Sequence, residues 1–201
     1  IFPSFGESAQ RGFYFQNLGY YFGFSDFATL AVTSDVYTKG SYTLYGNSVY
    51  RKRYHYTGNL RLSYAYTVNG DKEAPGYSTL KDYRINWTHS QDSKLNPNSS
   101  FSANVNAGSS TYYSNTISSV GNYLTNTFQS SISYSHHFPD KPINLTLALN
   151  HSQNTITHDI RISGKYLNSV NLKYIEYIDY DIIYFFFLVL SFSYLYFINS
   201  K

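Results

Sequence analysis

The sequence predicts an all-β protein: an antiparallel transmembrane β-barrel, incomplete, contributing about eight to nine strands of a larger barrel. Three observations predict it. Apolar and polar residues alternate with period two through a series of segments, most of them close to the roughly 9 to 11 residues with which a tilted strand crosses a bilayer. Charged residues within those segments keep to the polar parity. Aromatics make up 20% of the 201 residues, with 24 Tyr and 15 Phe against one Trp, while charged residues are only 13%, about half the usual globular share of roughly 25%.

The elements follow in order. Gly12 to Phe24, GFYFQNLGYYFGF, reads as a first strand of aromatic and small residues, and Ser25, Asp26 and Phe27 turn it back. Ala28 to Tyr37 sets Leu30, Val32 and Val36 against Thr29, Thr33 and Asp35, and Thr38, Lys39 and Gly40 form the next turn. Ser41 to Arg51 is a third strand, blurred by tyrosines on both parities, running into the basic cluster Arg51, Lys52, Arg53. Thr57 to Asn69 is a clean fourth, with Leu60, Leu62, Tyr64, Tyr66 and Val68 on one face. A polar connection with two Gly and one Pro follows from Asn69 to Lys81.

Asp82 to Ser90 places Tyr83, Ile85, Trp87 and His89 opposite Arg84, Asn86 and Thr88. Phe101 to Gly108 repeats the pattern, and a Ser-rich loop leads on from Ser109 to Tyr123. Leu124 to Gln153 is a hairpin. Its first arm shows Phe128, Ile132 and Tyr134 on one parity, interrupted by Ser130; its second shows Ile143, Leu145, Leu147 and Leu149; FPDKP lies between, with two prolines that cannot donate to a ladder. Ile156, His158, Ile160 and Ile162 suggest the start of a ninth strand.

Two features favour a membrane barrel over a soluble sandwich, whose strands run to about 5 to 6 residues. Asp35, Arg61 and Arg84 all lie on the polar parity, as they must if the other face meets lipid, where a midplane Arg costs about 2 to 4 kcal/mol. Connections after the fourth and sixth strands are long, and those after the first, third and seventh are short, the pattern of extracellular loops and periplasmic turns. The turn after the second strand and the middling loop after the fifth blur that alternation.

Composition also excludes several function classes. A net charge of +3 is too small to steer a nucleic acid. With no cysteine there is neither a disulfide framework nor a thiolate metal site. A chain that begins at Ile1 and contains no Met reads as an internal fragment. Among the histidines His55, His89, His136, His137, His151 and His158, the adjacent pair faces apart on a strand and cannot share a metal. The His-Ser neighbours at His89-Ser90 and His151-Ser152 face apart likewise, and no nucleophile turn is present. No catalytic, cofactor or metal residues are therefore assigned. Arg51, Lys52 and Arg53 are candidates for contact with anionic lipid phosphates.

Residues 1–165 read as the partial barrel and 166–201 as a divergent hydrophobic tail. Its block from Ile182 to Ile198 has no charge and no alternation, is built from residues with A/T-rich codons, and reads as an extension not native to the barrel rather than a short transmembrane helix.

Several motifs in one order carry a family resemblance: PSFGES at Pro3 to Ser8, RGFYFQNLGYYFGFSD at Arg11 to Asp26, DVYTKGS at Asp35 to Ser41, YRKRY at Tyr50 to Tyr54, WTHSQD at Trp87 to Asp92, NPNSSFSANVNAGSS at Asn96 to Ser110 and LNHSQNT at Leu149 to Thr155. Over about Ile1 to Ile160 the chain resembles the lipopolysaccharide-assembly protein family LptD (OstA), in its Bacteroidetes-type form. The resemblance implies a non-enzymatic outer-membrane barrel that inserts lipopolysaccharide into the outer leaflet through a seam between first and last strands. It further implies a lipoprotein plug, periplasmic transport components and outer-membrane lipids as partners, and the bacterial outer membrane as location. Distant relatives weaken the seam with prolines, but here no Pro lies between Phe5 and Ala74, and Gly19 stands in that region. Gly12, Gly19, Tyr20 and Tyr21 are the candidate gate-proximal residues. The alternatives are a general porin or receptor-type barrel, which would share every periodic feature, and a soluble carbohydrate-binding β-sandwich.

Overall fold

The computed structural model describes residues 2–73, 75–112, 127–139 and 143–168. They form one antiparallel sheet in which each strand pairs with the next in sequence. The strands are β1 (Ser4–Ser8), β2 (Gly12–Ser25), β3 (Ala28–Tyr37), β4 (Tyr42–Lys52), β5 (Tyr56–Asn69), β6 (Ser78–Gln91), β7 (Ser99–Gly108), β8 (Thr127–Phe138), β9 (Ile143–Asn154) and β10 (Ile160–Asn168). The fold is the expected all-β antiparallel wall, open between β1 and β10. The tail block from 182 to 198 lies outside the described residues.

Among the described residues ten strands form rather than eight or nine. The additional one is β1, too short at 5 residues to show a period. β6 starts at Ser78, four residues before its alternation becomes clean at Asp82, because Ser78 to Lys81 continue the ladder against Tyr66 to Asn69.

Register converts parity into two faces. From β3 to β6, the pairs Val32↔Gly46, Gly46↔Leu62 and Leu62↔Ile85 line one face, and Thr33↔Tyr45, Tyr45↔Ser63 and Ser63↔Arg84 line the other. On the apolar face Leu44, Leu62 and Val32 are exposed, while Val68, Val105 and Ile132 are covered by their neighbours. On the other face Thr43, Ala65, Thr67 and Asp82 are buried, and Asn47, Arg61, Thr88 and Ser102 are open. A water-soluble sheet buries its leucines; leaving Leu44 and Leu62 outward while Asp82 is buried suits a barrel in lipid.

Two serines complete the ladder where backbone partners run out. Ser41 Oγ donates to the Val68 carbonyl at 3.4 Å and accepts from the Val68 N–H at 2.9 Å. Ser130 Oγ likewise donates to the Asn106 carbonyl and accepts from its N–H, both at 3.0 Å. This explains the interrupted alternation at Ser130: β7 and β8 pair only from Ser99↔His136 to Asn104↔Ser131, and the hydroxyl closes the next position. Beyond it Phe128, fully buried, packs with Tyr112.

Candidate functional site

The outward face is banded. At one end of the strands lie Tyr50, Tyr56, Trp87, His89 and Phe101, with ring centroids 5.3 to 6.3 Å apart, and Tyr134, His136 and Phe138 continue the row. Trp87 Nε1 donates to Tyr50 Oη at 2.7 Å. At the other end Tyr42 stacks on Tyr66 at 5.4 Å and meets Tyr64 at 6.3 Å. Between the bands lie Leu44, Leu60, Leu62, Ile85 and Val105. On β5 the aromatic ends Tyr56 and Tyr66 are ten residues apart, which at about 3.4 Å per residue and a tilt of about 40° spans about 26 Å, matching the roughly 25 Å apolar band of outer-membrane barrels.

The inward face is held by polar pairs that need no charge. Asn86 Nδ2 donates to Asn106 Oδ1 at 3.0 Å, Asn59 Nδ2 to Asn47 Oδ1 at 3.1 Å, and serine hydroxyls pair at Ser102–Ser133 (2.7 Å) and Ser100–Ser135 (2.8 Å). Asp82, 1% exposed, accepts from Ser109 Oγ at 2.7 Å and Thr111 Oγ1 at 2.6 Å. Ser63 Oγ donates to Tyr112 Oη at 2.9 Å, and the Arg84 guanidinium lies 5.9 Å from the Tyr112 ring centroid. The start of the β7–β8 connection is thereby fastened to the inner wall.

The four gate-proximal candidates do not form a cluster. Gly12 has φ +79° at the β1–β2 turn, where a Cβ would collide with Thr38 Oγ1. Gly19 is tightly packed: a Cβ there would lie 2.1 Å from the Val32 carbonyl oxygen and 2.7 Å from Thr33 Cα. Tyr20, 66% exposed, points outward beside Phe22 at 4.8 Å, and Tyr21 belongs to the inner face with Ala31. What sequence reasoning missed is the residue beside them. β2 carries a register shift between Phe15 and Leu18, Asn17 takes φ +58°, and its N–H donates to Asp35 Oδ1 at 2.8 Å. Asp35 Oδ2 also accepts from Tyr45 Oη at 3.2 Å. The signal was present as a parity switch: Phe13 and Phe15 are odd, whereas Leu18, Tyr20, Phe22 and Phe24 are even.

Alternation also divides the basic cluster. Arg51 pairs with Thr57 and joins the inner face, while Lys52 pairs with Tyr56 on the outer one. Among the described residues no group of three or more His, Asp or Glu is placed to hold a metal, and no helix is long and apolar enough to cross a membrane.

A continuous antiparallel wall with an apolar, twice-girdled outer face and a polar inner face defines an outer-membrane β-barrel protein. Residues 1–172 match the family model described as LptD protein, and the chain belongs to that family. No curated protein and no solved structure matched the chain. Membership associates it with lipopolysaccharide transport at the outer membrane and with the other components of that transport system; the family is one of transport and assembly proteins rather than enzymes.

Proposed function

We propose that this chain is part of the wall of a barrel that inserts lipopolysaccharide into the outer leaflet, and that its β1–β2 edge borders the seam through which the lipid passes. The observation that carries the reading is the irregularity of β2. Its ladder to β3 is shifted at two places, between Phe15 and Leu18 and between Gly23 and Ser25, and Asn17 takes φ +58° at the first of them. A strand with an interrupted ladder, bearing outward aromatics, is the least costly place to admit acyl chains.

In this reading the short connections face the periplasm and the long ones the exterior, β1 starting on the periplasmic side. The barrel piece, expected from the sequence over residues 1–165, runs on through β10 to Asn168, and the divergent tail follows it. Gly12, Gly19, Tyr20 and Tyr21 lie near the gate, with a lipoprotein plug in the lumen and membrane lipids against the outer face. A porin or receptor barrel would share the two faces and lacks only the family match.

Depleting the intact protein should lower surface lipopolysaccharide, and unchanged levels would overturn the transport reading. The seam is tested separately with a photo-crosslinking amino acid at Tyr20 and at Leu147, both on the outer face. Lipopolysaccharide adducts at Tyr20 in excess over Leu147 are expected; equal labelling would remove the edge from the pathway.

A further inference from the structure

The β4–β5 turn and the β6–β7 connection are tied together by the Asp92 N–H, which donates to the His55 carbonyl at 2.7 Å. That contact gathers cations from distant parts of the sequence. Lys94 Nζ lies 4.8 Å and Arg53 Cζ 5.1 Å from the centroid of the Tyr54 ring, and Lys52 Nζ lies 5.7 Å from that of Phe27. Tyr54 is exposed and has φ +63°, a left-handed conformation unfavourable for a residue with a side chain and found preferentially at functional positions.

The carboxylates of these connections do not neutralise the group. Asp92 Oδ1 accepts from the Lys94 backbone N–H at 2.9 Å, and the ion pair seen among the described residues, Lys39–Asp71, lies at the opposite end of the strands. Counting the three outer cations, Lys52, Arg53 and Lys94, against Asp26 and Asp92 leaves three minus two, a local excess of one positive charge. The cations stand just beyond the aromatic band of Tyr50, Tyr56 and Trp87, at the level where long basic side chains leave the hydrocarbon and reach headgroups.

We propose that Lys52, Arg53 and Lys94, arrayed around Tyr54 and Phe27, bind the phosphate of an acidic glycerophospholipid in the leaflet at the short-turn end of the barrel. The inference rests on the membrane-barrel reading above. Aromatic faces hold the ammonium and guanidinium groups partly desolvated, which strengthens their attraction for a phosphate oxygen, and Arg53 offers a two-pronged donor set. The lipid's acyl chains would lie against the aromatic band below.

Trp87, the single tryptophan, is a built-in reporter, because its indole bonds to Tyr50, two residues from Lys52 on the same face. The full chain is folded into phosphatidylcholine vesicles containing a minor fraction of acyl-brominated phosphatidylglycerol or acyl-brominated phosphatidylcholine, and quenching of Trp87 is compared. A basic residue near an anionic surface contributes a factor of about five in lipid binding, so the acidic lipid should quench at about five-fold or more lower mole fraction. The combined Lys52→Gln, Arg53→Gln and Lys94→Gln variant should bring that ratio close to one, and Arg51→Gln, on the inner face, should leave it unchanged.

Equal quenching by both lipids overturns the proposal alone, and absence of quenching by either overturns the barrel reading with it. Loss of preference in Arg51→Gln as large as in the triple variant would assign the effect to diffuse charge and not to this cluster. Inorganic phosphate and chloride at matched ionic strength should weaken the preference equally; selective release by phosphate would reassign the cluster to the free anion.

Discussion

The sheet's N-terminal edge and its centre use the same alternating code and differ in how completely they realise it. β5 and β6 pair without a break from Tyr56↔Gln91 to Asn69↔Ser78, with Asp82 and Asn86 adding side-chain bonds on the inner face. β2 and β3, by contrast, are shifted twice, between Phe15 and Leu18 and between Gly23 and Ser25. At about 1 kcal/mol net per hydrogen bond, each interruption makes β2 cheaper to part from β3 than β5 is from β6. A barrel can therefore keep one rigid wall and one yielding edge without any change in its lipid-facing chemistry.

Four substitutions and two controls, Arg61→Leu and Gly23→Ala, would break or sharpen that contrast, read as urea midpoints of the lipid-folded protein. The largest effect is expected at the centre. Leu62→Arg places a charge on the lipid face at mid-strand and should cost about 2 to 4 kcal/mol, whereas Arg61→Leu, its inward neighbour, should stay within about 0.5 kcal/mol; equal losses would refute the two-face assignment. Asp82→Ala removes the buried carboxylate that accepts from the Ser109 and Thr111 hydroxyls and should cost about 2 to 3 kcal/mol, with faster proteolysis of the β7–β8 connection.

The edge should respond less, and in a different readout. Gly19→Ala forces a Cβ against the Val32 carbonyl and should cost about 1 to 3 kcal/mol; Gly23→Ala, where a Cβ meets nothing within 4 Å, should change the midpoint by less than about 0.5 kcal/mol. Smallest of the losses, Asp35→Ala removes the acceptor of the Asn17 N–H and should cost about 1 kcal/mol. Its signature is accelerated hydrogen exchange at Asn17, while amides of β5 and β6 keep their protection; loss of protection in both regions would show that edge and centre open as one unit.

Most of the wall was legible in the sequence, because period-two alternation is a direct record of which face meets lipid. β3 is bounded as read, at Ala28 and Tyr37, where flanking turn residues end the alternation sharply. β1 was illegible because five residues containing Gly6 carry too few side chains to show a period. The shift at Asn17 was readable only as a change of parity, since Gln16 and Asn17 by themselves look like ordinary polar residues. Arg51 could be separated from Lys52 by counting parity, but Lys94 lies more than forty positions along the chain and comes to Tyr54 because β5 pairs with β6 out to Tyr56↔Gln91 and the Asp92 N–H bonds the His55 carbonyl beyond it.

The ten strands of the described residues, an even number, have a consequence for how such a wall is built and altered. β1 begins, and β10 ends, on the same side of the sheet, that of the β2–β3 and β4–β5 turns. Any hairpin added to or removed from this piece returns the chain to the side it left, so its circumference can change in steps of two strands without turning a neighbour upside down. Removal of a single strand would invert everything after it, exchanging which connections meet the cell and which meet its surroundings.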